Sequence, residues 1–233
     1  MSTPEAVGDC ALNRVPMAQP EPIGLFGGTF DPVHLGHLRL AEEARIALGL
    51  ATVRWIPAGQ PPLRAEPQTP ALHRLAMVER ALAGNPAFEL DAGEVHAAQA
   101  SYTVHTLERL RRELGPAQPL VLLMGADAFA RLDAWFEWRR LFELAHISVA
   151  TRPGHNFPQV GAGDTAIFSE FRRRQAAAPA LRTSPAGAIV PFALTALDIS
   201  ATQIRRLLAG RQSARYLVSE PVLDYIQHNH LYR

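Results

Sequence analysis

Residues 23–38 read Ile-Gly-Leu-Phe-Gly-Gly-Thr-Phe-Asp-Pro-Val-His-Leu-Gly-His-Leu. The first four residues form a short apolar run of the kind that makes a buried strand. Gly27 and Gly28 then turn the chain, and His34 and His37 stand at the mouth of a helix that the spacing predicts from Leu35. Glycine lets the backbone approach phosphate oxygens closely. A helix N-terminus adds free N–H groups and the positive end of a dipole. Two histidines three residues apart can face the same anion. The stretch therefore suits a nucleoside triphosphate better than any other common ligand.

Outward from this turn, apolar runs alternate with amphipathic ones. Strands are expected at Ile23–Phe26, Val53–Ile56, Phe88–Leu90, Leu120–Met124, Ile147–Ala150 and Ala188–Phe192. Helices are expected at Leu35–Leu48, Pro70–Ala83, Thr103–Leu114, Ala128–Phe142, Ala201–Ala209 and Pro221–His228. This alternation predicts an α/β fold: a Rossmann-like, doubly wound, mostly parallel sheet with helices on both faces. Ligands of such sheets bind beyond the carboxyl ends of the strands, where strand order reverses. Residues 1–21, with Pro4, Pro16 and Pro20 and no clear period, read as a flexible N-terminal extension; 22–233 reads as a single domain. The segments 59–70 and 152–164 are rich in proline and glycine and read as functional loops. Phe171–Leu181, with three adjacent arginines, reads as a solvated helical face.

A chain of 233 residues that is 48% hydrophobic can bury a sizeable core. Its net charge of +1 is no basic footprint, so nucleic acid is not expected as a partner. One cysteine, Cys10, fits a reducing compartment, and a cytoplasmic location is expected without a membrane partner. Composition says nothing of oligomeric state.

The glycine turn lacks the Gly-Lys-Ser/Thr ending of a phosphate loop, and glycines at 24, 27 and 28 do not make the dinucleotide fingerprint. Asp31, His34 and His37 make Asp-x-x-His-x-x-His, a spacing that could hold a metal, and either histidine could instead cap the helix. No third or fourth soft ligand stands nearby, so no protein-bound metal is expected. A second constellation, Asp198-Ile-Ser-Ala-Thr-Gln-Ile-Arg-Arg206, starts a helix at Ser200, which is a plausible N-cap. Its first N–H groups, from Ala201 to Gln203, and Arg205 would then be available to an anion. Alone it is commonplace; paired with the His-Leu-Gly-His turn it becomes specific.

GGTFDPVHLGH together with ISATQIR resembles the nucleotidyltransferase superfamily with a His-x-Gly-His motif. Intervening segments resemble, within it, the bacterial nicotinate-nucleotide adenylyltransferases. They are Trp55-Ile-Pro-Ala-Gly-Gln-Pro-Pro62, Ser101-Tyr-Thr-Val104, Gly125-Ala-Asp127 with Trp135, and Arg152-Pro-Gly154. The matches run in order from about residue 23 to 230. The resemblance implies direct in-line attack by the phosphate of nicotinate mononucleotide on the α-phosphate of ATP, with Mg²⁺ as cofactor, giving deamido-NAD and pyrophosphate in NAD biosynthesis. It further implies that Gly27, Gly28 and Thr29 line the phosphate turn. His34 and His37 would meet the α- and β-phosphates, and Ile199, Ser200, Thr202 and Arg205 would hold the triphosphate from the opposite side. Catalysis would rest on His34, His37 and Arg205. Trp135 would stack on the nicotinate ring, N–H groups near Thr103 and Phe136 would receive its carboxylate, and Tyr102, Asp127 and Arg152 would complete that end. By composition alone Trp135 reads as core.

The family usually has His-Lys after Pro61-Pro62, where this chain has Leu63 and Arg64. Arg64 keeps a charge for ATP phosphate but as a planar fork. The family usually has Asp two residues after Thr103, where this chain has His105. Rival readings are the same chemistry on nicotinamide mononucleotide or phosphopantetheine, and a non-catalytic nucleotide-binding module. A class I tRNA-synthetase fragment is a weaker rival, since the chain is short and has no Lys-Met-Ser-Lys-Ser-like loop.

Overall fold

Strands short enough to be buried on both faces need neighbours on both edges, and the apolar runs find them in one parallel sheet. The computed structural model describes residues 20–62, 66–151, 165–195 and 197–233. The strands are β1 (Ile23–Gly28), β2 (Thr52–Pro57), β3 (Phe88–Leu90), β4 (Leu120–Gly125), β5 (His146–Thr151) and β6 (Ile189–Ala193). Their order is β3-β2-β1-β4-β5-β6 and every pairing is parallel. This is the doubly wound order in which strand succession reverses between β1 and β4.

The α-helices are α1 (Leu35–Leu48), α2 (Ala71–Leu82), α3 (Gly93–His96), α4 (Thr103–Leu114), α5 (Ala126–Phe129), α6 (Leu141–Leu144), α7 (Ala166–Arg174), α8 (Ala201–Ala209) and α9 (Glu220–His228). Side chains alternate across each strand, so the two faces bury separate cores. Val121 and Leu123 join a cluster with Ala41 and Ala44 of α1, Met77 of α2, Ile204 of α8 and Val222 of α9. Leu120, Leu122 and Met124 join the opposite cluster with Leu107 of α4, Leu141 of α6 and Phe168 of α7. A strand apolar at every position is what a sheet covered on both faces demands.

The ladder between β1 and β4 ends at Leu25↔Leu122, although β1 continues to Gly28 and β4 to Gly125. Their outer ladders, β1 with β2 and β4 with β5, persist to Gly28↔Pro57 and Gly125↔Ala150. The sheet therefore opens at one place only among the described residues, between the carboxyl ends of its two central strands.

Two expectations are corrected. The helix expected over Ala128–Phe142 is broken into α5, two 3₁₀ turns (Leu132–Ala134 and Trp138–Arg140) and α6. Trp135 is extended and Glu137 is left-handed, with φ 49°. These reversals place the Phe136 ring 4.9 Å from that of Tyr102, while Trp138 and Leu141 turn into the core. The three arginines of Phe171–Leu181 all lie in α7, and the segment runs on into a 3₁₀ turn over Ala178–Arg182. Arg173 is a surface group paired with Glu170, whereas Arg174 packs over the Phe142 ring. Among the described residues no helix is long and apolar enough to cross a membrane.

Candidate active site

The glycine turn sits at the opening between β1 and β4. A Cβ on Gly27 would meet only the Ile56 carbonyl oxygen, at an ordinary 4.0 Å, whereas a Cβ on Gly28 would lie 2.8 Å from the Phe30 ring. Phe30 is left-handed, with φ 51°, and its ring is buried edge-on to Phe26 and against Trp55. Core packing of that one ring offsets the strain and aims the following residues, joined by a cis Asp31–Pro32 bond, at the helix entrance.

His34 is the N-cap residue of α1, and the His34 and His37 rings stack with centroids 3.6 Å apart. His34 N–H donates to Nδ1 of His37 at 3.2 Å, so the proton of the neutral His37 ring belongs on Nε2. Leu35 N–H is taken by the Leu217 carbonyl and His37 N–H turns back to that of His34. This corrects, for Leu35 and His37, the expectation that the first N–H groups of α1 stand open to an anion. The close ring also explains Gly36: a Cβ there would lie 3.1 Å from Nδ1 of His34.

Burial pushes the His34 pKa down to about 4 from 6.5, and its buried Nδ1 has no hydrogen-bond partner among the described residues. The unfolded chain takes up this proton near pH 6.5 and the folded protein only near pH 4. The stability His34 contributes is therefore complete above pH 6.5 and is lost as pH falls towards 4. Between pH 7.5 and 5 the unfolding free energy of the wild type should fall by about 2 kcal/mol more than that of His34→Gln. Urea unfolding of both proteins at the two pH values measures this, and parallel losses would refute it.

The second constellation meets the first. Arg205 Nη1 donates to the Asp31 carbonyl at 2.7 Å, across 174 residues of sequence. Its Nη2 reaches Thr202 Oγ1 at 3.3 Å, and its buried Nε has no partner among the described residues. Ile199 packs beside Gly36, and Ser200 caps α8, its Oγ accepting from Gln203 N–H at 3.2 Å. The cap corrects one expectation: Gln203 N–H is occupied and does not face an anion.

Of the groups expected at the acceptor, Asp127, Trp135 and Phe136 follow the carboxyl end of β4, and Tyr102 and Thr103 stand at the start of α4. Asp127 is exposed in the first turn of α5, following Gly125, and not at its N-cap. Tyr102 is the N-cap residue of α4, so Thr103 opens that helix. Trp135 and Tyr102 are both half-buried on one core cluster, between the stacking and core readings of the tryptophan. Phe136 is 48% exposed and lies against both Tyr102 and His105. Arg64 and Arg152, with Leu63 and the loop 152–164, fall outside the described residues, as does the extension up to residue 19.

The cytidylyltransferase-like family model matches residues 25–207. A protein of Dechloromonas aromatica named "Probable nicotinate-nucleotide adenylyltransferase" is 62% identical over 215 residues, 91% of this chain and 98% of the relative. Proteins of the same name from Halorhodospira halophila and Acidithiobacillus ferrooxidans are 50% and 45% identical, covering 88% and 90% of this chain and 93% and 94% of their own lengths. This chain belongs to the nicotinate-nucleotide adenylyltransferase family. In fold it is similar to the Plasmodium falciparum nicotinic acid mononucleotide adenylyltransferase complexed with NaAD. The TM-score is 0.68 at 16% identity, over 91% of this chain and 97% of that one.

In this family member two further groups shape the site without belonging to either motif. Arg74 of α2 is 1% exposed, and its guanidinium donates to the carbonyls of Thr29, Ala58, Gly59 and Thr69 at 2.6–3.1 Å. It ties the glycine turn to the segment after β2. The sequence carries a faint signal for it, because Arg74 lies on the stripe of α2 that buries Met77 and Val78. Asp31, 6% exposed, accepts from Gln68 N–H on Oδ2 at 2.9 Å and from the Tyr232 hydroxyl on Oδ1 at 2.6 Å. No sequence signal marks that Tyr232 contact. Among the described residues no group of three or more His, Cys, Asp and Glu is placed to hold a metal ion.

Proposed function

We propose that this chain transfers the adenylyl group of ATP to nicotinate mononucleotide, forming deamido-NAD and pyrophosphate in NAD biosynthesis. The observation that carries the reading is the convergence of the two motifs at the opening of β1 and β4, where His34 Nδ1 and Arg205 Nε have no hydrogen-bond partner among the described residues. Buried polar atoms of this kind are costly unless something fills the role of partner. Phosphate oxygens would fill it here.

The acceptor phosphate has a second pKa of about 6 and is already largely ionised at neutral pH, so the reaction needs no general base. A new P–O bond forms at the α-phosphorus as the bond to the β-phosphate oxygen breaks, and the electron pair leaves with pyrophosphate. What remains is to align two polyanions and to stabilise the leaving group, which is a task for position and charge. Gly27, Gly28 and Thr29 would line the triphosphate, with Arg64 contributing charge. His37 would offer Nε2–H, and His34 would gain its proton from solvent as the bound phosphates offset the penalty of its burial. Ile199, Ser200, Thr202 and Arg205 would close the opposite side. Mg²⁺ would enter as MgATP, held by phosphate oxygens, as is usual for a small cation that keeps part of its water shell.

The acceptor side is supported by the names of the relatives and by the placement of Tyr102 and Trp135 on one cluster beside the start of α4. Trp135 would stack on the ring, and Thr103 at the start of a twelve-residue helix would meet the carboxylate. Phe136, Asp127 and Arg152 would complete the pocket.

Purified protein with MgATP and nicotinate mononucleotide should release pyrophosphate, and more slowly with nicotinamide mononucleotide. No release above background would make the chain a binding module; equal or faster turnover of the amide would overturn the acceptor. Trp135→Ala should raise the KM for the mononucleotide about 10-fold, the loss of one aromatic contact, and leave that for ATP within twofold. Equal losses for both substrates would instead show a folding defect.

A further inference from the structure

The last residues of the chain do not end at the surface of α9. His230 and Tyr232 both adopt left-handed backbone, with φ 54° and 61°, and the Tyr232 side chain reaches Asp31, just after the glycine turn. Such conformations are unfavourable for side-chain-bearing residues and persist where surrounding contacts hold them. The contact here is specific. Tyr232 donates its phenolic hydrogen to Asp31 Oδ1 at 2.6 Å, across 201 residues of sequence, and its oxygen also meets the side chain of Thr69.

Asp31 is thereby held from three sides. Its Oδ1 is bound by Tyr232, its Oδ2 by Gln68 N–H, and its carbonyl by Arg205 Nη1. Asp31 and Thr69 are both nearly closed to solvent, so water is poorly placed to replace a lost partner. His34 follows three residues later and Arg205 leans on the same peptide. A hydroxyl on the C-terminal residue pair thus reaches, through one carboxylate, the two groups assigned to the triphosphate. Burial and the adjoining carboxylate both raise the Tyr232 pKa, so the phenol keeps its hydrogen at any pH at which the protein would work.

We propose that Tyr232 is a positioning residue for adenylyl transfer: through Asp31 it sets the turn that presents His34 and Arg205 to the triphosphate. The inference rests on the functional reading above. It also distinguishes the two substrates, because Tyr232 and its partners lie on the ATP side and none of them is among the acceptor groups.

The test is Tyr232→Phe, which removes one oxygen and keeps the ring, alongside Asp31→Asn and the double variant. Misplacing reacting groups by a fraction of an ångström is costly, so kcat/KM for ATP should fall about 10-fold or more. The KM for nicotinate mononucleotide should stay within twofold, a split that a general loss of stability would not produce. Because both side chains act through one hydrogen bond, the double variant should be no slower than the slower single variant. A kcat/KM for ATP within twofold of wild type, equal losses for both substrates, or multiplicative losses in the double variant would each overturn the proposal. If the wild type released no pyrophosphate, the functional reading would fall by itself. Calorimetric MgATP binding would then decide this inference, a tenfold weaker affinity in Tyr232→Phe supporting it and an unchanged one overturning it.

Discussion

Replacing His37 with alanine should lower kcat about 10²-fold or more, the usual consequence of removing a donor that acts on charge developing in the transition state. The structure gives this donor a defined tautomer. The His34 N–H bond occupies Nδ1, leaving the ring hydrogen on Nε2, and the Phe30 ring stands edge-on at 5.1 Å to fix the plane. Alanine removes the Nε2 hydrogen and also the acceptor that caps α1. The cap should cost about 1 kcal/mol of stability, too little to explain a hundredfold loss of turnover in a folded sample. MgATP affinity should change much less than kcat, because in the proposed reaction the charge that His37 would meet grows as pyrophosphate departs. Single-turnover kinetics with calorimetric MgATP binding separates the two effects. An unchanged kcat in folded protein would remove His37 from the chemistry.

The second large effect concerns stability. Arg74→Leu should destabilise the protein by about 3–5 kcal/mol, the range for removing one member of a buried, compensated charge arrangement. Four backbone carbonyls lose a donor at once, and the buried Asp31 loses the positive charge that faces it. For a chain of this size each kcal/mol lowers the melting temperature by about 2–4 °C. Arg74→Lys should recover little, since an ammonium group cannot span acceptors on three segments as a planar fork does. Urea unfolding with an unchanged m-value is the measurement, and a loss below 1 kcal/mol for the leucine variant would refute the assignment. Arg74 also faces the carbonyl of Thr29, so any loosening it causes should reach the phosphate turn before it reaches the acceptor side.

The departures from the family pattern separate in the same way. His105, where the family usually has aspartate, is exposed, its ring 5.7 Å from Tyr102 and 5.8 Å from Phe136. It belongs to the aromatic group at the start of α4.

The sequence by itself determined what acts over one or two turns of chain. Six apolar runs identified all six strands, and apolar spacing bounded α1, α4 and α8 residue for residue. Ser200 was legible as a cap because its acceptor is three residues away. The alternation of strand and helix then left one economical arrangement, a parallel sheet covered on both faces. Only the tertiary structure decided the rest. The segment 128–142 has helical spacing without proline or glycine, yet it breaks, because docking Phe136 on Tyr102 while burying Trp138 and Leu141 requires reversals at 135–137. Three of the N–H groups expected to face an anion were claimed within the fold: Leu35 by Leu217, His37 by His34, and Gln203 by the Ser200 cap. Arg74, Asp31 and Tyr232 matter for what stands opposite them, and their partners lie as far as 201 residues away. Local pattern encodes which face of an element is apolar. Which polar group completes another's hydrogen bonds depends on how the layers close, and that is settled only when the whole sheet has formed.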